Sequence, residues 1–142
     1  MENMQPFMQL YLTGEENYES GDIIIEEGSR GNWIYIVLKG QVKVTKRTKL
    51  GTVTLNTLKQ GAVFGEMALF GKLLDGRSAS VIAADGPVTV GVLDFDLLRR
   101  DYESLSPRLR LLIDTVIMRL KETNEKIAAF VLAANRKGPG EK

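Results

Sequence analysis

Residues 33–48, which read WIYIVLKGQVKVTKRT, decide the fold class of this chain. The second half of this stretch alternates between polar and apolar residues, so a strand there places Val42 and Val44 on one covered face. Residues 39–41, with a central glycine, predict a tight turn between that strand and the apolar run before it. The stretch therefore predicts an antiparallel pair of strands.

Further short runs rich in Val, Ile, Tyr and Thr lie on both sides of this pair, and glycines separate them. They cover residues 22–26, 52–58, 77–83 and 88–93. Strands of this length and spacing predict an antiparallel barrel or sandwich.

The periodicity changes near residue 95 from two to about 3.6 residues. Residues 95–102 predict a short amphipathic helix, and Ser106 followed by Pro107 predicts the start of a long helix that ends near Ala134. Its apolar positions recur at intervals of three and four, as in a dimer seam, and a second apolar flank lies beside them. The seam is Ile113, Val116, Leu120, Thr123, Ile127, Phe130 and Ala134; the flank is Leu112, Ile117 and Val131. A homodimer through helix 106–134 is favoured over packing within one chain alone.

The chain has 142 residues, of which 44% are hydrophobic, and this suits a single domain with a real core. We expect this domain to cover residues 1–134. Residues 135–142 are polar and include Gly-Pro-Gly, so we expect a flexible tail.

Composition also excludes several classes of function. A net charge of +1 gives no general basic field for direct nucleic-acid binding, and no apolar run is long enough for a membrane span. The chain has neither Cys nor His, so disulfides, thiol catalysis, zinc hydrolysis and histidine-ligated metals are all disfavoured. We therefore expect a cytoplasmic binding protein with no catalytic residues, no metal and no cofactor apart from its ligand.

The groups that could bind a ligand are concentrated in residues 64–70, FGEMALF, and residues 75–81, DGRSASV. Gly65 permits a close backbone approach, and residues 66–70 predict one helical turn with outward N–H groups. Arg77 supplies a positive, forked donor and Ser78 a hydroxyl. Together these groups indicate a cradle for a phosphate.

The position of Glu66 beside an anion site indicates that the ligand carries a second polar group besides the anion. In dinucleotide sites, donors hold the phosphate while a carboxylate accepts from a ribose hydroxyl. The same division here indicates a ribose phosphate. Taken singly, Glu66 is also explained as a partner of the helix dipole, and Arg77 as a solvated or ion-paired strand residue.

The order and spacing of several motifs resemble the cyclic nucleotide-binding domain family over about residues 10–134. These motifs are GD at 21–22, EG at 27–28, YIVLKGQV at 35–42, Gly61, FGEMAL at 64–69 and RSASV at 77–81. The chain is similar to the sensor domains of bacterial catabolite activators and of the regulatory subunits of cAMP-dependent protein kinases. The resemblance implies an eight-stranded antiparallel β-roll, or jelly roll, with a short N-terminal and a long C-terminal helix.

The resemblance also implies roles for individual residues. Glu66 takes the ribose 2′-hydroxyl and Arg77 the cyclic phosphate, within a phosphate-binding cassette formed by residues 66–80. Nearby ligand contacts are expected from Gly65, Met67, Ala68, Ser78 and Ala79. In the long helix, Thr123 and Asn124 match positions that contact the base, although Thr123 is equally well explained as a polar seam residue.

Three departures from the family pattern stand out. Asn124 replaces the serine of the catabolite activators. Glu66 and Arg77 are a residue or two further apart than usual, so the turn at residues 71–76 must bulge. No DNA-reading helix-turn-helix follows residue 134.

The resulting prediction is a regulatory sensor that binds a cyclic purine nucleotide and acts through its long helix on an unidentified effector. cAMP is preferred over cGMP, because Ser78 stands where many cGMP sites of the family have threonine. The alternative is a degenerate dimeric interaction module that binds no nucleotide. A catalytic jelly roll is least favoured, since the usual histidine ligands are missing.

Overall fold

The computed structural model describes residues 6–70, 77 and 79–136. A 3₁₀ helix at Pro6–Tyr11 comes first, and a 3₁₀ turn at Glu66–Phe70 interrupts the strands. The strands are β1 (Leu12–Tyr18), β2 (Ile23–Ile25), β3 (Ile34–Thr48), β4 (Gly51–Leu58), β5 (Val63–Phe64) and β6 (Ser80–Leu93). Two helices follow, α1 (Phe95–Glu103) and α2 (Pro107–Arg136). The predicted class, mainly antiparallel β with flanking helices and a long C-terminal helix, is confirmed.

The strand pairings define two layers. In one layer, the first part of β3 lies between β5 and the second part of β6, which also pairs with β1. In the other, the second part of β3 lies between β4 and the first part of β6, which also pairs with β2. The two layers thus share the long strands β3 and β6.

The predicted tight turn at residues 39–41 is wrong, because β3 continues through it. Gly40 has φ +81°, and the register of β3 against β6 shifts between Val37 and Lys39 and again between Lys39 and Gln41. A Cβ on Gly40 would lie 2.6 Å from the carbonyl oxygen of Pro87, so only glycine fits this close crossing. The glycine bends one strand from the first layer into the second, where the sequence pattern indicated a hairpin.

A similar bend in β6 explains why the number of strands differs from eight. β6 bends at Asp85 and Gly86, both with positive φ. The described residues form six continuous strands, but β3 and β6 each contribute to both layers, which gives the eight strand segments expected of the roll.

The main core lies between the layers. Val37, Val42, Val88 and Val90 are almost completely buried there. The alternate residues of β3, such as Ile34 and Ile36, point to the other face of their layer. There they form a second cluster covered by side chains that include Tyr11, Leu69 and Phe95.

Both α-helices begin where the sequence predicts. The Asp94 carboxylate accepts from the Leu97 N–H at 3.0 Å, and the Ser106 hydroxyl accepts from the Leu109 N–H at 3.2 Å. α2 then packs against β4. Residues 137–142 of the predicted tail lie outside the described residues. None of the helices in the described ranges is long and apolar enough to cross a lipid bilayer.

Candidate ligand cavity between the roll and α2

A cavity of about 530 Å³ lies between the strands, the Glu66–Phe70 turn and α2. Most of its wall is apolar. Among the described residues, its polar side chains are Asn56, Glu66, Arg77 and Asn124. An apolar pocket of this size with a few convergent polar groups is typical of a small-molecule site.

Arg77 is fixed in the cavity wall by backbone carbonyls. Its side chain is only 6% exposed. Nη1 donates to the Gly65 carbonyl at 2.8 Å, and Nη2 donates to the carbonyls of Gly31 and Trp33, each at 2.8 Å. Three of the five guanidinium N–H groups are therefore used by the protein.

The remaining donors of Arg77 need a partner. Nε is buried and, within the described chain, no group accepts its hydrogen. A buried donor without an acceptor costs free energy, all the more when it carries charge. The positive charge of Arg77 in the cavity wall suits an anionic ligand.

Backbone contacts also hold Arg77 in place. Its N–H donates to the Ser29 carbonyl at 2.7 Å, and its carbonyl accepts from the Gly28 N–H at 2.7 Å. Gly65 has φ +82°, and a Cβ there would lie 2.8 Å from the Trp33 carbonyl oxygen. A glycine at this position therefore leaves room for that carbonyl, which accepts from Arg77. The loop at residues 28–33 and the glycine before Glu66 thus position the guanidinium together.

Glu66 lines the same cavity as Arg77 without contacting it directly. Burial raises the pKa of the Glu66 carboxyl, and a hydrogen bond to its own backbone and the charge of Arg77 only partly oppose that rise. No ion pair within 4.0 Å joins the two side chains in the described residues. Both residues thus line one cavity, and their charged atoms lie more than 4.0 Å apart.

Burial also acts on Arg77. It lowers the pKa of the guanidinium, while Tyr35 and Glu66 act in the opposite direction. Since an arginine stays protonated in proteins, the consequence is a positive charge held in a poorly hydrated wall. A phosphate placed there meets little competition from water.

The structure brings most of the predicted site residues to the cavity. The wall includes Gly65, Glu66, Met67, Arg77, Ala79 and Asn124. Ala68 is buried beside it and Ser78 lies outside the described residues, as does the predicted bulge at residues 71–76. Thr123 is exposed on α2, where its hydroxyl donates to the Arg119 carbonyl at 2.9 Å.

Sequence reasoning missed the far wall. Asn56 of β4 lines the cavity, and Leu120 and Ile127 line it from α2. The sequence pattern assigns these two apolar helix residues to the dimer seam alone. Asn56 had a usable signal, a polar residue after Leu55 in a strand whose alternation is interrupted.

A series of contacts connects the Glu66–Phe70 turn to α2. Arg99 of α1 donates from Nη1 to the Leu69 carbonyl at 2.5 Å. The rings of Phe70 and Tyr102 meet edge to face at 5.2 Å, and the Tyr102 hydroxyl donates to the Asp114 carboxylate of α2. The turn is therefore joined by side-chain contacts to α1, and α1 in turn to α2.

Comparison with known proteins agrees with this geometry. The profile described as "Cyclic nucleotide-binding domain" matches residues 15–103. The human cGMP-dependent protein kinase 2 is 34% identical over 113 residues, which cover 78% of this chain and 14% of the kinase. The chain therefore belongs to the cyclic nucleotide-binding domain family, a class of regulatory modules, and it spans about a seventh of that relative.

Solved structures show the same fold. The EAL enzyme Bd1971, with cAMP and cyclic-di-GMP bound, superposes with a TM-score of 0.72 at 27% identity, over 83% of this chain and 31% of that one. The catabolite activator protein of Thermus thermophilus gives a TM-score of 0.59 at 29% identity, over 87% and 57% of the two chains.

Proposed function

We propose that this chain is a sensor module that binds cAMP in the cavity and carries out no reaction itself. The observation that carries the proposal is that Glu66 and Arg77, one acidic and one basic side chain, line the same cavity. A cyclic nucleotide fills this arrangement, with its phosphate at the guanidinium and its ribose hydroxyl at the carboxylate.

The base then lies toward β4 and α2. Apolar side chains such as Val44 and Leu120 provide the surface that a purine ring needs, and Asn124 provides an amide that can both donate and accept. An asparagine amide can form two hydrogen bonds with adenine. Together with Ser78, this supports cAMP as the first choice, although the kinase relative is named for cGMP.

Calorimetry on the purified chain with cAMP, cGMP and 5′-AMP tests the proposal. We expect saturable binding of the cyclic nucleotides and much weaker binding of 5′-AMP. Its open phosphate is a dianion and does not fit a site shaped for a cyclic phosphate. Trp33 is the sole tryptophan and its carbonyl accepts from Arg77, so its fluorescence should change at the same concentrations. Failure of both cyclic nucleotides to bind at millimolar concentration would instead favour the interaction module.

Glu66→Gln should separate binding from stability. Because burial raises the folded-state pKa of Glu66, its contribution to stability is present at low pH and is lost as the pH rises through that pKa. The variant should therefore have a higher Tm at pH 7, and the difference should close as the pH is lowered. Its cAMP affinity should nonetheless fall about tenfold, since a charged acceptor is lost.

The test is whether Glu66→Gln raises the Tm while it lowers the cAMP affinity. Thermal melts across pH and calorimetry at pH 7 measure them on the same preparation. Glu125→Gln, an exposed carboxylate on α2, serves as the control and should change neither. A Glu66→Gln protein that binds cAMP as well as the parent contradicts the ribose assignment.

We further propose that binding is transmitted through α2 in a homodimer. The contacts from Leu69 and Phe70 through α1 to Asp114 supply the path, and α2 itself closes the cavity through Leu120 and Asn124. A ligand that binds better to one position of α2 shifts the population toward that position. The effector is then the protein or domain that binds the paired α2 helices at the end farthest from the roll.

A further inference from the structure

We propose that Glu27 is a positioning residue for the phosphate site, because it anchors the loop whose carbonyls hold the Arg77 guanidinium. The inference rests on the proposed function and deepens it. Glu27 begins the EG motif at residues 27–28, and it is not among the described residues that line the cavity. It therefore acts on the ligand through Arg77 and not by contact.

The Glu27 carboxylate binds the main chain of β3. The pairing of β3 with β6 ends at Thr45 and Ser80, so on that edge Arg47 has no strand partner among the described residues. Oε1 of Glu27 accepts from the Arg47 N–H at 3.0 Å, in the place of a strand carbonyl. The Glu27 side chain is only 18% exposed, so little water competes for this charge-assisted hydrogen bond.

The main chain of Glu27 makes a second attachment, to the first residue of β6. Its N–H donates to the Ser80 hydroxyl at 2.9 Å. The next two residues bind the main chain of Arg77, since the Gly28 N–H donates to its carbonyl and the Ser29 carbonyl accepts from its N–H, each at 2.7 Å. Glu27 thus joins the end of β3 to the start of β6, directly before the contacts that hold Arg77.

The loop after Glu27 carries two acceptors of the guanidinium. The carbonyls of Gly31 and Trp33 both accept from Nη2 of Arg77 at 2.8 Å. The Trp33 ring packs on Gly31 so closely that a Cβ there would lie 1.7 Å from it. A loop anchored at Glu27 presents both carbonyls in one geometry, and the guanidinium is then oriented before the phosphate arrives. Without the anchor, that ordering is charged against binding.

The sign of the effect separates positioning from direct electrostatics. A carboxylate near a phosphate repels it, so by charge alone the removal of Glu27 would tighten binding. Positioning predicts the reverse, and Glu27→Ala should weaken cAMP about fivefold in calorimetry. Glu27→Gln keeps an oxygen for the Arg47 N–H and should recover most of that loss. Glu26→Ala removes an exposed carboxylate one residue earlier and should bind cAMP within twofold of the parent.

A double-mutant cycle tests whether Glu27 acts through Arg77. In an Arg77→Lys background the fork that binds the loop carbonyls is gone, so Glu27→Ala should change the cAMP affinity less than twofold. Ser80→Ala removes the second attachment by a small change. It should weaken cAMP about threefold in the parent and less than twofold in the Arg77→Lys background. The fluorescence of Trp33, which lies in the anchored loop, should change in both ligand-free variants.

Several results would overturn the inference. They are parent-like binding by Glu27→Ala and Ser80→Ala, losses of equal size in both backgrounds, a Glu27→Gln protein that binds no better than Glu27→Ala, and a Glu26→Ala protein that loses as much affinity. If Glu27→Ala does not fold, the same comparison made with Ser80→Ala decides. If the parent chain binds no cyclic nucleotide, the proposed function fails instead.

Discussion

Arg77→Ala should weaken cAMP binding by roughly 2 to 4 kcal/mol, about 30- to 1000-fold in Kd. The variant leaves the phosphate in a poorly hydrated wall without its charged partner. It also removes the donor to three backbone carbonyls, those of Gly31, Trp33 and Gly65, so the free protein should melt at a lower temperature. Calorimetry measures the first effect and thermal unfolding the second.

Arg77→Lys separates charge from geometry. A lysine keeps the positive charge but lacks the planar fork, so it cannot satisfy the three carbonyls and a phosphate together. We expect a folded protein with an intermediate loss of affinity. Arg47→Ala, which removes an exposed arginine of β3, is the matched control and should bind cAMP within twofold of the parent. A change below threefold in folded Arg77 variants would show that this residue does not hold the phosphate.

Val116→Lys should convert a dimer of this chain to a monomer. Val116 is 53% exposed and Phe130 is 75% exposed, on the side of α2 next to the face that packs on the roll. Apolar side chains this exposed at heptad spacing gain free energy when a second copy covers them, and a lysine in the seam places charge in an apolar interface. Light scattering or sedimentation measures the mass directly.

Val116 is a better test position than its seam neighbour Leu120. Leu120 also lines the cavity, so its substitution would alter ligand binding and assembly together. Glu125→Lys introduces the same side chain on a different side of the helix and should leave the mass unchanged. A parent chain that is already monomeric, or a Val116→Lys protein with the mass of a dimer, would contradict the seam.

Local patterns in the sequence determined most of the secondary structure and the residues that lie in the site's short motifs. The alternation at Val42 and Val44, the cap at Ser106 and the change of period after residue 95 each act within a few residues, so they can be read without tertiary contacts. Glu66 and Arg77 were found for the same reason, because each lies in a short motif with its own chemistry. In the fold, both residues line one cavity.

Only the tertiary structure determines where the long strands bend and which other residues line the cavity. Gly40 looks like a hairpin glycine in the sequence, and only its crossing against Pro87 shows that it bends one strand between layers. Asn56 faces the cavity because a register shift against Thr45 reverses the alternation of β4. Leu120 and Ile127 close the cavity because α2 packs across β4. Each of these depends on contacts between residues distant in the chain, and no local periodicity records such contacts.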